Sequence, residues 1–467
     1  MSQHSFRRAA CVGALAGAIA LVAVVPALAQ DQDFGIGTPL AESGTGVTAA
    51  PGLEAIKLAS GLTATLVSDK VGYAPDMIAL WPDNAAPTHA VICNEEFPEG
   101  VEQASVQLVD LTTGDVTDML TGMSSCDPAK TTPWGTVLVG EEEDDGRVIE
   151  IIDPLTTTGI TFDRAAGTTS DPTKAAVRTA LGQLAYEGIV ITEDGTVYYG
   201  DERRPEAGQP GGGIYKFVPA TPATAGATIT DLAGSPFAAG SVYVSRLGQR
   251  SNGDVPNQDF GQGTETGAGV WVPLETPADP TTFGLYDAGL AAGMTGYYRP
   301  EDMARDPKHT DGVRVCWNNT GRDVAGNWGE TLCLVDQPSD DAEANPAGSM
   351  PVVTRFVQGN PHLRMPDNID FDPATGNLWI NMDASTSAEE PAFGNDDVWV
   401  CLPDGGDDDL LTDGCARAVT LLDGEAEFSG ITFLADGSGF YQHLQHRAQD
   451  GDATLGTSEM IKVEFAK

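Results

Sequence analysis

The chain is 467 residues long and carries 68 acidic against 25 basic side chains, a formal net charge of -43. Nucleic acid and anionic membranes are excluded as partners, because both carry the same sign of charge. A hydrophobic fraction of 41% suffices for a real core and excludes extensive disorder, while the acidity fits a saline setting or heavy binding of divalent cations.

Arg7 and Arg8 precede an apolar stretch from Ala9 to about Val25, and Ala27-Leu28-Ala29 supplies a small-residue cleavage site. That pattern predicts an export signal over residues 1–29, too short and too badly flanked for a membrane anchor. The paired arginines leave a twin-arginine route and plain Sec export both open. The mature protein is expected in the periplasm or outside the cell, as a monomer. No later stretch is long and apolar enough to span a bilayer. Residues 30–51 are rich in Gly, Thr, Ala and Ser and read as a flexible leader. Residues 52–467 read as a single domain.

Six short segments then recur ahead of strand-like runs: Pro75-Asp76-Met77, Pro133-Trp134-Gly135, Tyr186-Glu187-Gly188-Ile189, Arg299-Pro300-Glu301-Asp302-Met303, Pro366-Asp367-Asn368-Ile369 and Phe428-Ser429-Gly430-Ile431. Most are followed by a polar turn and an apolar run ending in acids or amides, such as Val91 to Glu96 or Leu378 to Asp383. Helical periodicity is nearly absent, so the fold class is all-β. Regular repetition of strands that cannot bury their faces alone predicts a six-bladed β-propeller. The interval between Glu187 and Glu301 is about twice the others, which calls for an insertion over residues 203 to 295, not necessarily a seventh unit. The strand Ala64 to Val67 is expected to close the ring against Met460 to Phe465. Acidic stretches at 336–347 and 404–413 read as solvated loops.

In such a ring the innermost strands line a central channel, so Asp76, Glu187, Glu301 and Asp367 should face one shared space. Crowded carboxylates repel one another, and cations are the natural neutraliser. Six cysteines remain after signal removal; in an oxidising compartment they are expected as Cys93–Cys126, Cys316–Cys333 and Cys401–Cys415, the three nearby pairs. The histidines show no metal-ligand spacing; His443 and His446 read as polar residues near a blade edge. No nucleophile elbow or phosphate-binding glycine loop is present.

Thr132-Pro133-Trp134-Gly135-Thr136 followed by Glu141-Glu142 resembles the signature of the PhoX family of alkaline phosphatases. Asn94-Glu95, Glu187, Arg299-Pro300-Glu301-Asp302 and Pro366-Asp367-Asn368 resemble further segments of that family, in order, from about Pro75 to His446. Tyr186 stands where the family pattern has histidine. The resemblance implies a six-bladed propeller with a central site of iron and several calcium ions, hydrolysing phosphate monoesters. It implies Glu141, Glu187, Glu301 and Asp367 as metal ligands, with Asn94 and Asp201 as further candidates. Arg299 offers a planar fork for two phosphate oxygens, and Glu301 stands beside it in the catalytic role.

Gly140 departs from this pattern, standing where the family has a cysteine that, by resemblance, ligates iron. Without a thiolate the site is expected to favour hard cations, calcium above all, and iron is in doubt. Restoring the cysteine at 140 is expected to raise iron content. Two other classes of function stay open, a calcium-dependent hydrolase acting on lactones and a non-catalytic calcium-binding propeller.

Overall fold

The computed structural model describes residues 33–46, 52–96, 103–206, 209–248, 266–322, 325–339, 347–384, 393–403, 414–424, 426–445 and 458–466. The expected export signal, the 404–413 loop and His446 lie outside these residues.

Strands dominate, and their pairing resolves into six antiparallel blades. The innermost strands are Ala74–Trp81, Cys126–Thr131, Tyr186–Ile191, Pro300–Arg305, Pro366–Phe371 and Glu427–Phe433. Each pairs outward with a second strand, from His89–Glu96 in blade 1 to Gly439–Gln445 in blade 6. Every innermost strand packs against those of the preceding and following blades, and that of blade 6 returns to that of blade 1. The ring is closed. Its marker at Pro133-Trp134-Gly135 is corrected by the structure: these residues form the turn between the first two strands of blade 2, whose innermost strand begins seven residues earlier at Cys126.

What holds the ring together is apolar burial between blades. Six separate clusters of buried side chains occupy the six junctions. Between blades 2 and 3, for example, Trp134 and Leu138 meet Tyr186, Tyr199 and Phe217; between blades 1 and 6, Ile78 and Leu80 meet Tyr441 and Met460. Both faces of each blade are therefore covered, which explains strands such as Val197–Asp201 that are buried at every position and show no in-out alternation.

Closure occurs as expected: Leu62–Ser68 forms the outer strand of blade 6, with Ala64 opposite Val463 and Leu66 opposite Ile461. The long interval holds an insertion. Ile214–Pro219 and Gly240–Leu247 complete blade 3, and Gly267–Pro273 adds a strand that also pairs with the outer strand of blade 4, Gly267 opposite Val353. A short helix, Leu285–Ala292, ends at Gly293 in the left-handed conformation that glycine tolerates.

The leader expectation is corrected over residues 33–46, which are seated on blade 5. Leu40 N donates to Arg417 O at 3.0 Å, Gly44 N to Thr420 Oγ1 at 2.7 Å, and Ser43 Oγ to Asp397 Oδ1 at 3.0 Å, while Phe34, Ile36 and Leu40 pack on the cluster between blades 5 and 6. The three expected disulfides are present. Cys93–Cys126 ties the second strand of blade 1 to the innermost strand of blade 2, and the other two each lie within one blade. Among the described residues no helix is long and apolar enough to cross a membrane.

Candidate functional site

All six innermost strands share one irregularity near their start. The pairing register slips between Pro75 and Ile78, Cys126 and Ala129, Tyr186 and Ile189, Pro300 and Met303, Pro366 and Ile369, and Ser429 and Thr432. A bulge of this kind leaves a residue unpaired and re-aims its side chain. The residue just after each slip begins is Asp76, Asp127, Glu187, Glu301 or Asp367 in blades 1 to 5, and Gly430 in blade 6. Gly430 has a φ of 61° and its α-carbon approaches the Asp76 carbonyl too closely for a side chain; blade 6 contributes Glu427 instead.

These side chains converge on a polar cavity of about 180 Å³ lined by Asp76, Glu95, Asp127, Glu142, Glu187, Arg299, Glu301, Asp367, Asp383 and Glu427. Carboxylate oxygens of Glu187, Glu301 and Asp367 all lie within 4.8 Å of one another. Burial, reinforced by neighbouring acids, pushes Asp76, Glu142, Glu187, Asp367 and Glu427 well above the usual carboxylate range. Burial raises Glu301 to about 8 against the pull of Arg299, and Asp127 to about 6. Arg299 is the lone cation on the wall. It has a φ of 60°, a backbone state that costs a non-glycine residue free energy and is maintained only by its surroundings. Its Nε donates to Glu202 Oε1 and lies 2.8 Å from Glu301 Oε1, and its Nη1 donates to Asp383 Oδ2 at 3.1 Å. Thr320 Oγ1 also donates to Glu301 Oε1.

Of the sequence-expected residues, Asp76, Glu187, Glu301, Asp367 and Arg299 are brought together. Three others are not. Glu141 turns away from the cavity, where its carboxylate accepts Ser124 N at 2.9 Å, Arg147 N at 3.1 Å and Arg164 Nε at 2.8 Å. Asn94 Nδ2 donates to Ala104 O at 2.8 Å and Gln107 Oε1 at 3.1 Å inside blade 1. Asp201 is buried behind the wall and burial pushes it up to about 8. In each case the next residue faces inward: Glu142 and Glu95 line the cavity, and Glu202 anchors Arg299. Asp127, Asp383 and Glu427 were not singled out from the sequence. His443, expected near a blade edge, is fully buried; its Nδ1 donates to Asp76 O at 2.6 Å, and burial lowers its pKa to about 4.

The family model for alkaline phosphatase PhoX matches residues 104–448. The chain belongs to the PhoX alkaline phosphatase family. Its enzymatic class, a phosphatase, follows from that membership. Among solved structures, PhoX of Pseudomonas fluorescens, solved with vanadate as a transition state analogue, superposes with a TM-score of 0.63 at 17% identity, covering 92% of this chain and 98% of that one. That likeness shows the shared propeller fold. An aldose sugar dehydrogenase from Streptomyces coelicolor reaches 0.48 at 13% identity, over 87% of this chain and 99% of that one. A gluconolactonase from Xanthomonas campestris reaches 0.43 at 11%, over 92% and 97%. A search of curated protein sequences finds no match.

PhoX enzymes are metal-dependent, and the donors here fit hard cations. The wall offers only oxygen ligands, and no nitrogen or hydroxyl donor reaches Glu187 Oε2 or Asp127 Oδ1; these two side chains face one another, an arrangement that needs a shared proton or a cation to neutralise it. Among the described residues all six cysteines are in disulfides, so none supplies a thiolate. Gly140 does not open onto the cavity: a Cβ there would lie 2.8 Å from Pro128 Cγ and 3.2 Å from Tyr186 Cβ. The slot is filled by the residues following Asp127 and preceding Glu187, so a cysteine restored at 140 meets a packing obstacle before it meets a metal.

Proposed function

We propose that this PhoX-family chain is an exported hydrolase of phosphate monoesters, acting at the acidic chamber with calcium as its resident cation. The observation that carries this reading is the Glu187, Glu301 and Asp367 cluster beside Arg299, with Glu187 Oε2 buried and reached by no nitrogen or hydroxyl donor. Glu187, Glu301 and Asp367 would hold the cation, and Asp76, Asp127 and Glu142, which line the same chamber, would serve further ones. Bound divalent cations supply charge neutralisation to the transferring phosphoryl group and lower the pKa of a water.

The chain's own residues do the rest. Glu202, Glu301 and Asp383 clamp Arg299 through Nε and Nη1. Arg299 lines the chamber, and its guanidinium would donate to a phosphoryl oxygen, where charge accumulates in the transition state. Thr320 and Arg299 both hold Oε1 of Glu301. The mature chain is placed in the periplasm or outside the cell, in keeping with three disulfides and the amino-terminal signal pattern.

The test is elemental analysis of the purified protein together with turnover of p-nitrophenyl phosphate before and after chelation. Calcium in excess of iron, and hydrolysis lost on chelation and restored by Ca²⁺, are expected. Glu142→Gln should lower cation content and Glu141→Gln should leave it unchanged. Full hydrolysis by metal-stripped protein would overturn the reading, as would a loss of cation in the Glu141 variant alone.

A further inference from the structure

Below the acidic chamber the central channel continues into a second cavity, about 220 Å³, to which all six innermost strands or their turns contribute, among them Leu80, Lys130, Val190, Arg305, Asp370 and Thr432. Asp302 stands between the two cavities, flanked in sequence by Glu301 of the upper lining and Met303 of the lower; it is fully buried and lines neither. Asp302 is the neighbour of Glu301 in sequence, yet its chemistry is the reverse. Its Oδ1 accepts Met303 N at 2.6 Å and Lys130 Nζ at 3.3 Å, and its Oδ2 accepts Ile369 N at 3.2 Å. Three donors from three blades, Lys130 among them, leave it little capacity for a further cation while Lys130 is in place. Asp370, on the far side of Lys130, is likewise occupied, by Phe371 N and Phe433 N at 2.8 Å each.

We propose that the Lys130–Asp302 ion pair is an internal plug that makes the acidic chamber one-ended, with Lys130 as the fixed cation for the layer beneath it. The proposal rests on the reading of the chamber as a cation site. Lys130 is a positioning residue. Its ammonium sits where the next divalent ion down the channel would otherwise settle, held by Asp302 and attracted by Asp370 and Glu187. Metal ions are thereby confined to the upper carboxylates, and both ions and substrate enter and leave by the upper mouth. A lysine suits this task because it is tethered and cannot be chelated, and its point charge serves acids on several sides. Lys130 lies on the innermost strand of blade 2 and Asp302 on that of blade 4, so the pair also bridges across blade 3.

The experiment counts calcium on the full mature chain, stripped by chelator and re-equilibrated with Ca²⁺, and times its release to a fluorescent chelator. Lys130→Met is expected to bind one more Ca²⁺ per chain than wild type and to release calcium faster. Lys130→Arg should keep the wild-type count. Lys130→Met/Asp302→Asn removes both charges; it should return the count to the wild-type number while release stays fast, and it carries the test if the single variant does not fold. Wild-type count and release in both methionine variants would overturn the plug. A wild-type chain that binds no calcium at all would overturn the cation reading of the chamber, and the plug with it. Neither readout depends on hydrolysis.

Discussion

Two groups of buried acids in this propeller have opposite environments. At the junction of blades 3 and 4, Asp336 accepts Lys216 Nζ and Tyr198 OH at 2.6 Å each through Oδ2, and Trp271 Nε1 at 2.9 Å through Oδ1. Lys216 is bonded in turn to Ser349 Oγ at 2.7 Å. In the central chamber nine acids face one arginine, and no nitrogen or hydroxyl donor reaches Glu187 Oε2 or Asp127 Oδ1. Burial alone therefore does not mark a functional acid. What separates the two groups is whether the surrounding chain supplies donors, since an unpaired buried charge is tolerated only where something else neutralises it.

Substitutions should separate the two groups. Glu187→Gln in the chamber should lower kcat/KM for a phosphate monoester by about 100-fold or more, while the metal-free protein melts higher because one repelling acid is gone. At the junction the pattern should invert. Lys216→Met strands Asp336 and should reduce stability in denaturant titration by about 3–5 kcal/mol, with turnover per folded molecule unchanged. A shared response from both variants would erase the distinction. Gly140→Cys tests the chamber's wall rather than its acids: forcing a side chain against Pro128 should reduce stability by about 1–3 kcal/mol without raising iron content by elemental analysis.

A pH dependence is expected at Asp201, a buried acid behind the wall. Its folded pKa is about 8 against a usual 3.8, raised by burial. The folded state therefore holds its proton more tightly than the unfolded chain does. The resulting stability is complete below about 3.8 and is lost as pH rises through about 8, with a slope of at most about 1.4 kcal/mol per pH unit. Asp201→Asn should flatten that loss, seen as a melting advantage that grows from pH 4 to pH 8.

The propeller, its closing strand and its disulfides were legible because repetition and cysteine proximity survive in a linear string. The chamber was legible only by half. Acids that open the innermost strands, such as Asp76 and Glu301, stood out in phase. Acids at the ends of the second strands were read one residue early, at Asn94, Glu141 and Asp201 instead of Glu95, Glu142 and Glu202. The ligand assignment followed motif resemblance, which locates a paired Glu141-Glu142 but does not say which member turns inward. Strict alternation does not decide it either, because every innermost strand carries a register slip at this level. Asp127 was missed for a related reason: Pro133-Trp134-Gly135, a hairpin turn, stood in for the start of blade 2. The signal that could have found it is Cys126-Asp127-Pro128, which places an acid at the same point as Pro75-Asp76 and Pro366-Asp367.

Blade 6 is assembled from both ends of the domain, with Leu62–Ser68 lying alongside Glu459–Phe465. Asp76 and Glu427 belong to the blades that meet across this seam. The chamber is thus a vessel whose last wall is fastened by its first and last threads. A nascent chain halted between Glu427 and Glu459 holds every acid of the site but lacks the strand that pairs with Leu62–Ser68 across the seam, and pairing so distant in sequence is slow to form. The finished acidic chamber is therefore withheld until Glu459–Phe465 has been made and has paired with Leu62–Ser68.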